Sequence, residues 1–357
     1  MKSYENCMQM YYEMQPDALL NTAKQGDETF LQIRAALSAI RPQKAVLLGI
    51  GSSYHSACLA ESEFRALSCL PVICLTPEQA LRRLFEFDEK TLVIAVSQSG
   101  TSANTLSVLR EIKRSGAAVF AVTQGLASPI AKEAQALIPL CIPDEKAGPK
   151  TIGVVASVCS LLLAAAALSE KNDAWENLKT DMLAEAGAMA ENLDVVRDWV
   201  LSLENTLAGE TSWMVVGQRA AFAPAGECAL KLTETVRRTV ACYELEEAVH
   251  GPCASFIARP ALMCLHLPWE DAIRPEALCG ACEAKGGHAY RIGLGVDAPK
   301  ADGMRVALTY RAERLSMLQL LLPAQAISAW IPPKMGIDLD GKDSDPFSAI
   351  LAGHLEP

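Results

Sequence analysis

The chain is an acidic sequence of 357 residues, half of them hydrophobic, in which 42 acidic and 32 basic residues give a formal net charge of −10. At roughly 150 residues per domain, this length predicts two domains, each able to bury a core without disulfides or metals. The charge balance disfavours a nucleic-acid-binding protein, because polyanions are held by clustered cations. The twelve cysteines follow no framework spacing and lie mostly in apolar runs, which indicates buried thiols in a reducing compartment.

Neither a leader peptide nor a membrane anchor is predicted. Residues 1–6 have no apolar signal core, so we expect a cytoplasmic protein. Residues 151–169 carry no charged side chain and approach the roughly 20 apolar residues that a membrane span needs. The glycine, the serines and the alanine-rich end of this stretch, and the lack of a flanking basic cluster, favour a buried core helix instead.

The first half of the chain alternates apolar strand candidates with helical stretches. The predicted strands cover residues 45–50, 72–75, 92–96, 118–122 and 136–140, and the predicted helices between them cover 56–68, 77–85 and 103–115. This alternation indicates an α/β fold with a parallel sheet covered by helices on both faces. Such a sheet binds its ligands in loops beyond the carboxyl ends of the strands.

The second half repeats this rhythm after a long polar helical stretch. Strands are predicted at 213–217, 241–245, 261–267, 289–293 and 306–310, and helices at 224–238, 275–285 and 315–330. The predicted organisation is an N-terminal helical segment (1–44), a first α/β subdomain (45–170), an interdomain helix (171–207), a second α/β subdomain (208–340) and a C-terminal tail (341–357).

Two hydroxyl-rich turns follow predicted strands of the first half. After the strand at 92–96 comes Ser97-Gln98-Ser99-Gly100-Thr101-Ser102, and after the strand at 45–50 comes Gly51-Ser52-Ser53-Tyr54. A glycine turn leading into a helix N-terminus is an anion site, and the absence of a lysine favours a sugar phosphate over a nucleoside triphosphate. The simpler interpretation of each turn is an ordinary serine-capped turn, but two such turns at one sheet edge favour a shared ligand.

Several motifs in order resemble those of the sugar isomerase (SIS) domain. They are Gly51-Ser52-Ser53-Tyr54, Ser97-Gln98-Ser99-Gly100, Gly148-Pro149-Lys150-Thr151-Ile152-Gly153-Val154, Glu227-Cys228-Ala229-Leu230-Lys231-Leu232-Thr233-Glu234 and Glu247-Ala248-Val249-His250-Gly251-Pro252. Their order and spacing are similar to the isomerase half of glucosamine-6-phosphate synthases. The resemblance implies two SIS subdomains, each a parallel flavodoxin-like sheet flanked by helices.

The resemblance also implies roles for individual residues. The phosphate would be bound by Ser53, Ser97, Gln98, Ser99 and Ser102. Val154 would lie near the sugar, and either Ala156 or Ser157 would line the pocket.

The segment 227–238 carries a possible acid–base group. Glu227, Lys231, Glu234 and Arg238 are spaced by four, three and four residues, which places them on one face of a helix. The simpler interpretation is a solvated polar face. The resemblance instead implies that Glu227 and Lys231 bind the substrate, that Glu234 is the catalytic carboxylate, and that His250 acts in the site of a neighbouring subunit, which requires a homodimer.

Two sequence differences from the synthases restrict the reactions that we expect this protein to catalyse. The 44 residues before Ala45 leave no room for a glutamine-hydrolysing domain, and no lysine follows Lys342 where the synthases carry one; His354 is a candidate in its place. A Glu–His pair without that lysine is similar to fructosamine-6-phosphate deglycases. This resemblance implies cleavage of a 6-phosphorylated fructosamine to glucose 6-phosphate and an amino acid, with no metal or organic cofactor.

Other activities stay open at this point. The alternatives are an aldose–ketose isomerase or an amino-sugar-phosphate deaminase on the same fold, and a non-catalytic phosphosugar-binding regulator. The pair Cys279 and Cys282, with His288 six residues on, lacks the second ligand pair of a zinc site, so we predict no metal there. The amino acid carried by the substrate cannot be read from these motifs.

Overall fold

The computed structural model describes residues 4–341 of the chain. The predicted C-terminal tail, with Lys342 and His354, therefore lies outside the described residues. The described chain divides into two compact units. The first unit comprises residues 17–145 and 152–183, and the second comprises 4–16, 146–151 and 184–341.

The secondary structure of residues 4–341 consists of α-helices, strands and four short 3-10 helices. The α-helices are α1 (Cys7–Glu13), α2 (Gln15–Ile40), α3 (Ser52–Ser68), α4 (Pro77–Leu81), α5 (Ala103–Arg114), α6 (Pro129–Glu133), α7 (Ile152–Leu168), α8 (Ala174–Ser202), α9 (Glu204–Gly209), α10 (Phe222–Thr235), α11 (Leu245–Val249), α12 (Ile273–Glu283) and α13 (Leu322–Lys334). The strands are β1 (Lys44–Leu48), β2 (Val72–Leu75), β3 (Thr91–Val96), β4 (Ala118–Thr123), β5 (Ala136–Pro139), β6 (Ser212–Gly217), β7 (Thr239–Glu244), β8 (Ala261–His266), β9 (Ala289–Gly295), β10 (Lys300–Asp302) and β11 (Arg305–Thr309). The 3-10 helices cover Leu84–Glu86, Arg219–Ala221, Pro252–Ala258 and Glu313–Leu321.

The sheet of the first unit is parallel throughout, with the strand order β2-β1-β3-β4-β5. Every residue of β3 and β4 is buried, because helices cover both faces of the sheet, and this accounts for their unbroken apolar sequence. The chain passes from β1 outward to β2 and then crosses back to β3. The point between β1 and β3, where the direction of winding reverses, is where doubly wound sheets bind ligands.

Helix α7 explains the charge-free stretch that resembles a membrane span. Every residue from Ile152 to Ala167 is buried inside the protein, as the sequence analysis predicted for a core helix. Among the described residues, one stretch, Glu313–Lys334, is long and apolar enough to cross a bilayer, and 89% of its most apolar window is buried inside the protein. Core helices commonly have this composition.

The sheet of the second unit has the order β10-β11-β9-β8-β6-β7. Without β10, this is the order of the first sheet, with β6 and β7 in the places of β1 and β2 and with β8, β9 and β11 in the places of β3, β4 and β5. The corresponding switch point lies between β6 and β8, which pair in parallel. The other five strands pair in parallel, as predicted, and the short edge strand β10, which was not predicted, runs antiparallel to β11.

Some predicted boundaries also differ from the structure. Helix α10 was predicted to continue to Arg238 but ends at Thr235, since the backbone turns at Arg237, whose φ is 53°, to enter β7. The late helix predicted at 315–330 is a 3-10 helix followed by α13. The long polar helix predicted at 171–207 is α8 followed by α9.

Candidate functional site

The predicted phosphate loop of the first unit forms a tight turn at the carboxyl end of β3. The Ser97 N–H donates to the Val122 carbonyl of β4 (3.0 Å), and the Ser97 carbonyl accepts from the Gly100 N–H (3.0 Å). Gly100 has a φ of +72°, which favours glycine. The turn then enters α5 at Ser102.

The end of β4 and the residues that follow it contact this loop. The Gln98 carbonyl accepts hydrogen bonds from the Gln124 N–H (2.9 Å) and from Thr123 Oγ1 (3.2 Å). A Cβ atom at Gly100 would lie 1.9 Å from Ser128 Oγ, so the two segments are in close contact at this point. These contacts hold the loop against the end of β4 and the residues that follow it.

The helices on either side of the switch point begin without a side-chain cap. Helix α3 starts after Gly51, which has no side chain, and the Ser102 hydroxyl before α5 accepts from Thr105 Oγ1 (3.1 Å) and caps no backbone N–H. In contrast, Thr76 caps α4 and Ser128 caps α6 by accepting a backbone N–H. The positive dipole end of a helix without a side-chain cap favours an anion.

The structure brings the five predicted phosphate-binding residues to one sheet edge. Because β1 and β3 are paired neighbours, the turns that follow them leave the sheet on the same side. Ser53 lies half-buried in the first turn of α3. In the loop after β3, Ser97 is buried, Gln98 and Ser102 are half-buried and Ser99 is exposed.

One carboxylate of this edge was missed by the sequence analysis. Glu145 is only 3% exposed, and its Oε2 accepts hydrogen bonds from Gln98 Nε2 (3.0 Å) and from the Gly153 N–H (3.0 Å) at the start of α7. No local pattern predicts this residue, since Gln98 lies 47 positions away in the chain. The contact joins two of the motifs that carry the family resemblance.

The residues predicted to face the sugar lie inside the first unit. Val154, Ala156 and Ser157 are all buried in α7, with exposures of 1%, 0% and 3%. Their contact with a sugar stays a prediction, and burial alone does not decide between Ala156 and Ser157.

The polar helix face predicted in the segment 227–238 contains a buried ion cluster centred on Lys231 in α10. The side chain of Lys231 is 1% exposed, and its Nζ lies 3.5 Å from Glu227 Oε1 and 2.5 Å from Glu234 Oε2. The interpretation as a solvated face is wrong for Glu227 and Lys231. A buried ammonium needs such partners, because an uncompensated charge in the interior is costly.

The two carboxylates of this cluster differ in accessibility. The side chain of Glu227 is 0% exposed, whereas that of Glu234 is 37% exposed. Glu234 can therefore meet a ligand while one of its oxygens is fixed by Lys231. Arg238 does not lie on this helix face, because α10 ends at Thr235.

His250 is an exposed residue directly after α11. Its backbone N–H donates to the Glu246 carbonyl (3.0 Å) and closes the last turn of that helix. Its ring has no hydrogen-bond partner among residues 4–341. The catalytic role of His250 stays a prediction.

The cysteine pair of the second unit lies within α12, as expected for helical neighbours. Cys279 and Cys282 are both buried, and Cys282 Sγ is near the carbonyls of Pro260 and His288 (3.7 Å each). Burial raises the pKa of Cys282 to about 11. Within the described part of the chain, no group of three or more His, Cys, Asp or Glu side chains is arranged to hold a metal ion.

One segment of the chain matches a known protein family. Residues 40–168, which contain the sheet of the first unit, match the sequence profile of the SIS domain. The first unit carries a SIS domain. This confirms the family resemblance for β1 to β5 and for the loops that follow β1 and β3.

Relatives and solved structures extend the similarity beyond that segment. The chain is 26% identical over 358 aligned positions to the isomerising glutamine–fructose-6-phosphate aminotransferase of Symbiobacterium thermophilum; the match covers 94% of this chain and 58% of that protein. The chain thus spans little more than half the length of this relative.

Two solved structures share the fold of both units. One, from Clostridium difficile 630 and provisionally named a phosphosugar isomerase, has a TM-score of 0.85 at 20% identity and covers 98% of this chain and 99% of its own. The other is the C-terminal domain of glucosamine-fructose-6-phosphate aminotransferase from Francisella tularensis, with a TM-score of 0.72 at 18% identity, covering 94% and 98%. The two-sheet α/β fold predicted from the sequence is confirmed.

Proposed function

We propose that this protein is a phosphosugar-processing enzyme whose first unit binds the phosphate group. The observation that carries the proposal is the contrast among four helices of that unit. The two that begin at the switch point, α3 and α5, have no side-chain cap, whereas α4 and α6 are capped by Thr76 and Ser128. Helix N-termini without a side-chain cap, their dipoles and the hydroxyls of Ser97, Ser99 and Ser102 suit a phosphate without requiring a cation.

We assign the proton transfer to Glu234 of the second unit. It is the accessible carboxylate of the Lys231 cluster, and its hydrogen bond to Lys231 Nζ (2.5 Å) orients it. A carboxylate oriented in this way can carry a proton between C1 and C2 of an open-chain sugar. Glu227 and Lys231 would then position Glu234, and their predicted contact with substrate would be indirect.

The reaction we favour is cleavage of a 6-phosphorylated fructosamine. Glu234 would take a proton from C1 of the ketosamine, giving an enaminol, and return it at C2, giving an imine at C1. Water then adds to C1 and the C1–N bond breaks, which releases glucose 6-phosphate and the amine. The sequence similarity to isomerising aminotransferases supports phosphosugar chemistry at C1 and C2 as the broader class. None of these steps calls for a metal or an organic cofactor.

We further propose that the protein is a cytoplasmic homodimer in which His250 acts on the substrate bound by the partner subunit. The exposed ring of His250, with no hydrogen-bond partner among the described residues, is compatible with such a role. The imidazole would assist opening of the sugar ring. An active His250→Ala variant, or a monomer that retains full activity, would contradict this assignment.

The decisive experiment is incubation of the purified protein with fructoselysine 6-phosphate and related conjugates, followed by detection of glucose 6-phosphate. Release of glucose 6-phosphate together with the free amine supports the deglycase. Conversion of fructose 6-phosphate to an aldose phosphate, or release of ammonia from glucosamine 6-phosphate, would instead identify an isomerase or a deaminase. Binding of a phosphosugar without any turnover would favour a regulator.

A further inference from the structure

Glu145 is a buried carboxylate that lies beside the candidate phosphate loop and that none of the sequence motifs includes. We infer that Glu145 is a positioning residue, which fixes the side-chain amide of Gln98 so that it can donate to the substrate phosphate. This inference rests on the proposed phosphate-binding function of the first unit. It concerns the orientation of one donor and not the chemistry at C1 and C2.

The hydrogen bonds of Glu145 set the position of Gln98. A single oxygen, Oε2, accepts both from Gln98 Nε2 (3.0 Å) and from the Gly153 N–H (3.0 Å). Hydrogen bonds to an ionised acceptor are stronger than bonds between neutral groups, and a carboxylate that is 3% exposed depends on them. Glu145 therefore ties the amide of the loop to the first turn of α7, a helix buried along its length.

Gly153 makes this arrangement possible. A Cβ atom at this position would lie 2.1 Å from Gln98 Oε1 and 2.7 Å from Glu145 Oε2. The amide of Gln98 thus lies directly against the backbone at the start of α7. A residue with a side chain at 153 would displace the amide, the carboxylate or both.

The arrangement leaves Gln98 with a donor for a ligand. The side-chain nitrogen of Gln98 carries two N–H groups. Glu145 accepts a hydrogen bond from one of them, so the other can donate to a ligand. The Gln98 carbonyl is held by Gln124 and Thr123, so both the backbone and the side chain of this residue are fixed before a ligand binds. A donor fixed in advance binds more tightly, because less conformational freedom is lost on binding.

Glu145 could act on phosphate binding through its negative charge or through the acceptor oxygen that orients Gln98. A carboxylate beside a bound phosphate repels it, so Glu145 cannot favour binding through its charge. The property of Glu145 that supports phosphate binding is therefore its acceptor oxygen, which holds the amide of Gln98 in place. Glu145→Gln keeps an oxygen that can accept both hydrogen bonds and removes the repulsion, whereas Glu145→Ala removes the acceptor.

These variants give a direct test. We would measure kcat and KM for the phosphosugar substrate and, by ³¹P NMR, the dissociation constant of glucose 6-phosphate, for Glu145→Ala, Glu145→Gln, Gln98→Ala and the double alanine variant. We expect Glu145→Ala to raise KM and the dissociation constant about tenfold with kcat nearly unchanged, and Glu145→Gln to stay within about threefold of the wild type. Gln98→Ala should match Glu145→Ala, and the double variant should be no worse than either.

A matched control is Glu210→Ala. Glu210 is also buried (8% exposed) and accepts from Tyr290 Oη (2.7 Å), but it precedes β6, at the end of the second sheet opposite its switch point. Its loss should lower stability without changing KM. If Glu145→Ala does not fold, Glu145→Met, which fills the space but lacks the acceptor oxygen, takes its place and should raise KM and the dissociation constant to the same extent; unchanged binding would contradict the inference.

Three results would overturn the inference: unchanged binding in Glu145→Ala, equal loss in Glu145→Gln and Glu145→Ala, or additive losses in the double variant. Each would leave the proposed function standing, provided that the wild type binds glucose 6-phosphate. Failure of the wild type to bind any phosphosugar would overturn the proposed function itself.

Discussion

The two units share one strand order but differ at their switch points. In the first unit, β1 and β3 lead into turns that are rich in glycine and hydroxyl residues and carry no charged side chain, and the helices that follow have no side-chain cap. In the second unit, β6 leads to α10, which carries the buried Lys231 and the exposed Glu234. The same position in the fold can therefore supply backbone donors for an anion or an ionised side chain for proton transfer. Which of these two groups is present depends on the residues after the strand and not on the fold.

The largest effect is expected from Glu234→Gln. If the second unit supplies the acid–base group, this variant should lower kcat by about a hundredfold to ten-thousandfold, because the amide cannot carry the proton. Binding of glucose 6-phosphate should change little. A steady-state assay together with ³¹P NMR measures both, with Glu246→Gln, an exposed glutamate of α11, as the control. Full activity of Glu234→Gln would show that Glu234 is not the acid–base group.

Lys231→Met tests whether the second switch point is built around a buried charge. Loss of the ammonium leaves two carboxylates without their shared cation, and we expect the free energy of unfolding to fall by about 3 to 5 kcal/mol. Lys334→Met is the control, because Lys334 pairs with Glu204 (3.1 Å) at the surface with 52% of its side chain exposed. That change should cost less than about 1 kcal/mol. Equal losses in denaturant unfolding would contradict the central role of Lys231.

Gly100→Ala tests the close packing beneath the loop of the first unit. Alanine at this position must adopt a φ of +72° and would place its Cβ 1.9 Å from Ser128 Oγ. We expect a loss of about 2 to 4 kcal/mol, from backbone strain and overpacking together. Gly116→Ala, with a φ of +88° and no atom nearer than 3.8 Å, should lose only about 1 kcal/mol. Equal unfolding energies in the two variants would show that the packing at Ser128 does not matter.

The smallest effects are expected from two hydroxyls that precede helices. Thr76 caps α4, so Thr76→Ala should cost about 1 kcal/mol of stability without affecting ligand binding. Ser102 caps no backbone N–H, but its hydroxyl accepts from the buried Thr105, so Ser102→Ala should also cost about 1 kcal/mol of stability and, unlike Thr76→Ala, should weaken phosphosugar binding severalfold. Thermal unfolding and ligand titration of both variants separate the two roles. Unchanged binding by Ser102→Ala would place the ligand elsewhere.

The sequence predicts the architecture well where a pattern is local. Unbroken apolar runs such as Leu92–Val96 mark strands buried on both faces, and the glycine and serines after them mark the turns. The short edge strand Lys300–Asp302 was missed because none of its residues is buried, although Asp302-Gly303, a pair typical of hairpin turns, precedes β11.

The candidate site is less accessible to prediction from the sequence. The spacing of Glu227, Lys231 and Glu234 places them on one helix face, but it does not show that two of them are buried and one is exposed. That difference arises from packing against elements distant in the chain. Glu145 illustrates the same limit, because its importance depends on Gln98, which lies on another loop.

We propose that the first unit binds the phosphate and that Glu234 of the second unit transfers the proton. The most direct test is a ³¹P NMR titration of glucose 6-phosphate with the wild type, with a Ser99→Ala/Ser102→Ala double variant and with Glu234→Gln. The account predicts that the double variant loses most of the binding, whereas Glu234→Gln binds as the wild type does. Equal binding by all three proteins, or loss of binding in Glu234→Gln alone, would contradict this division of roles.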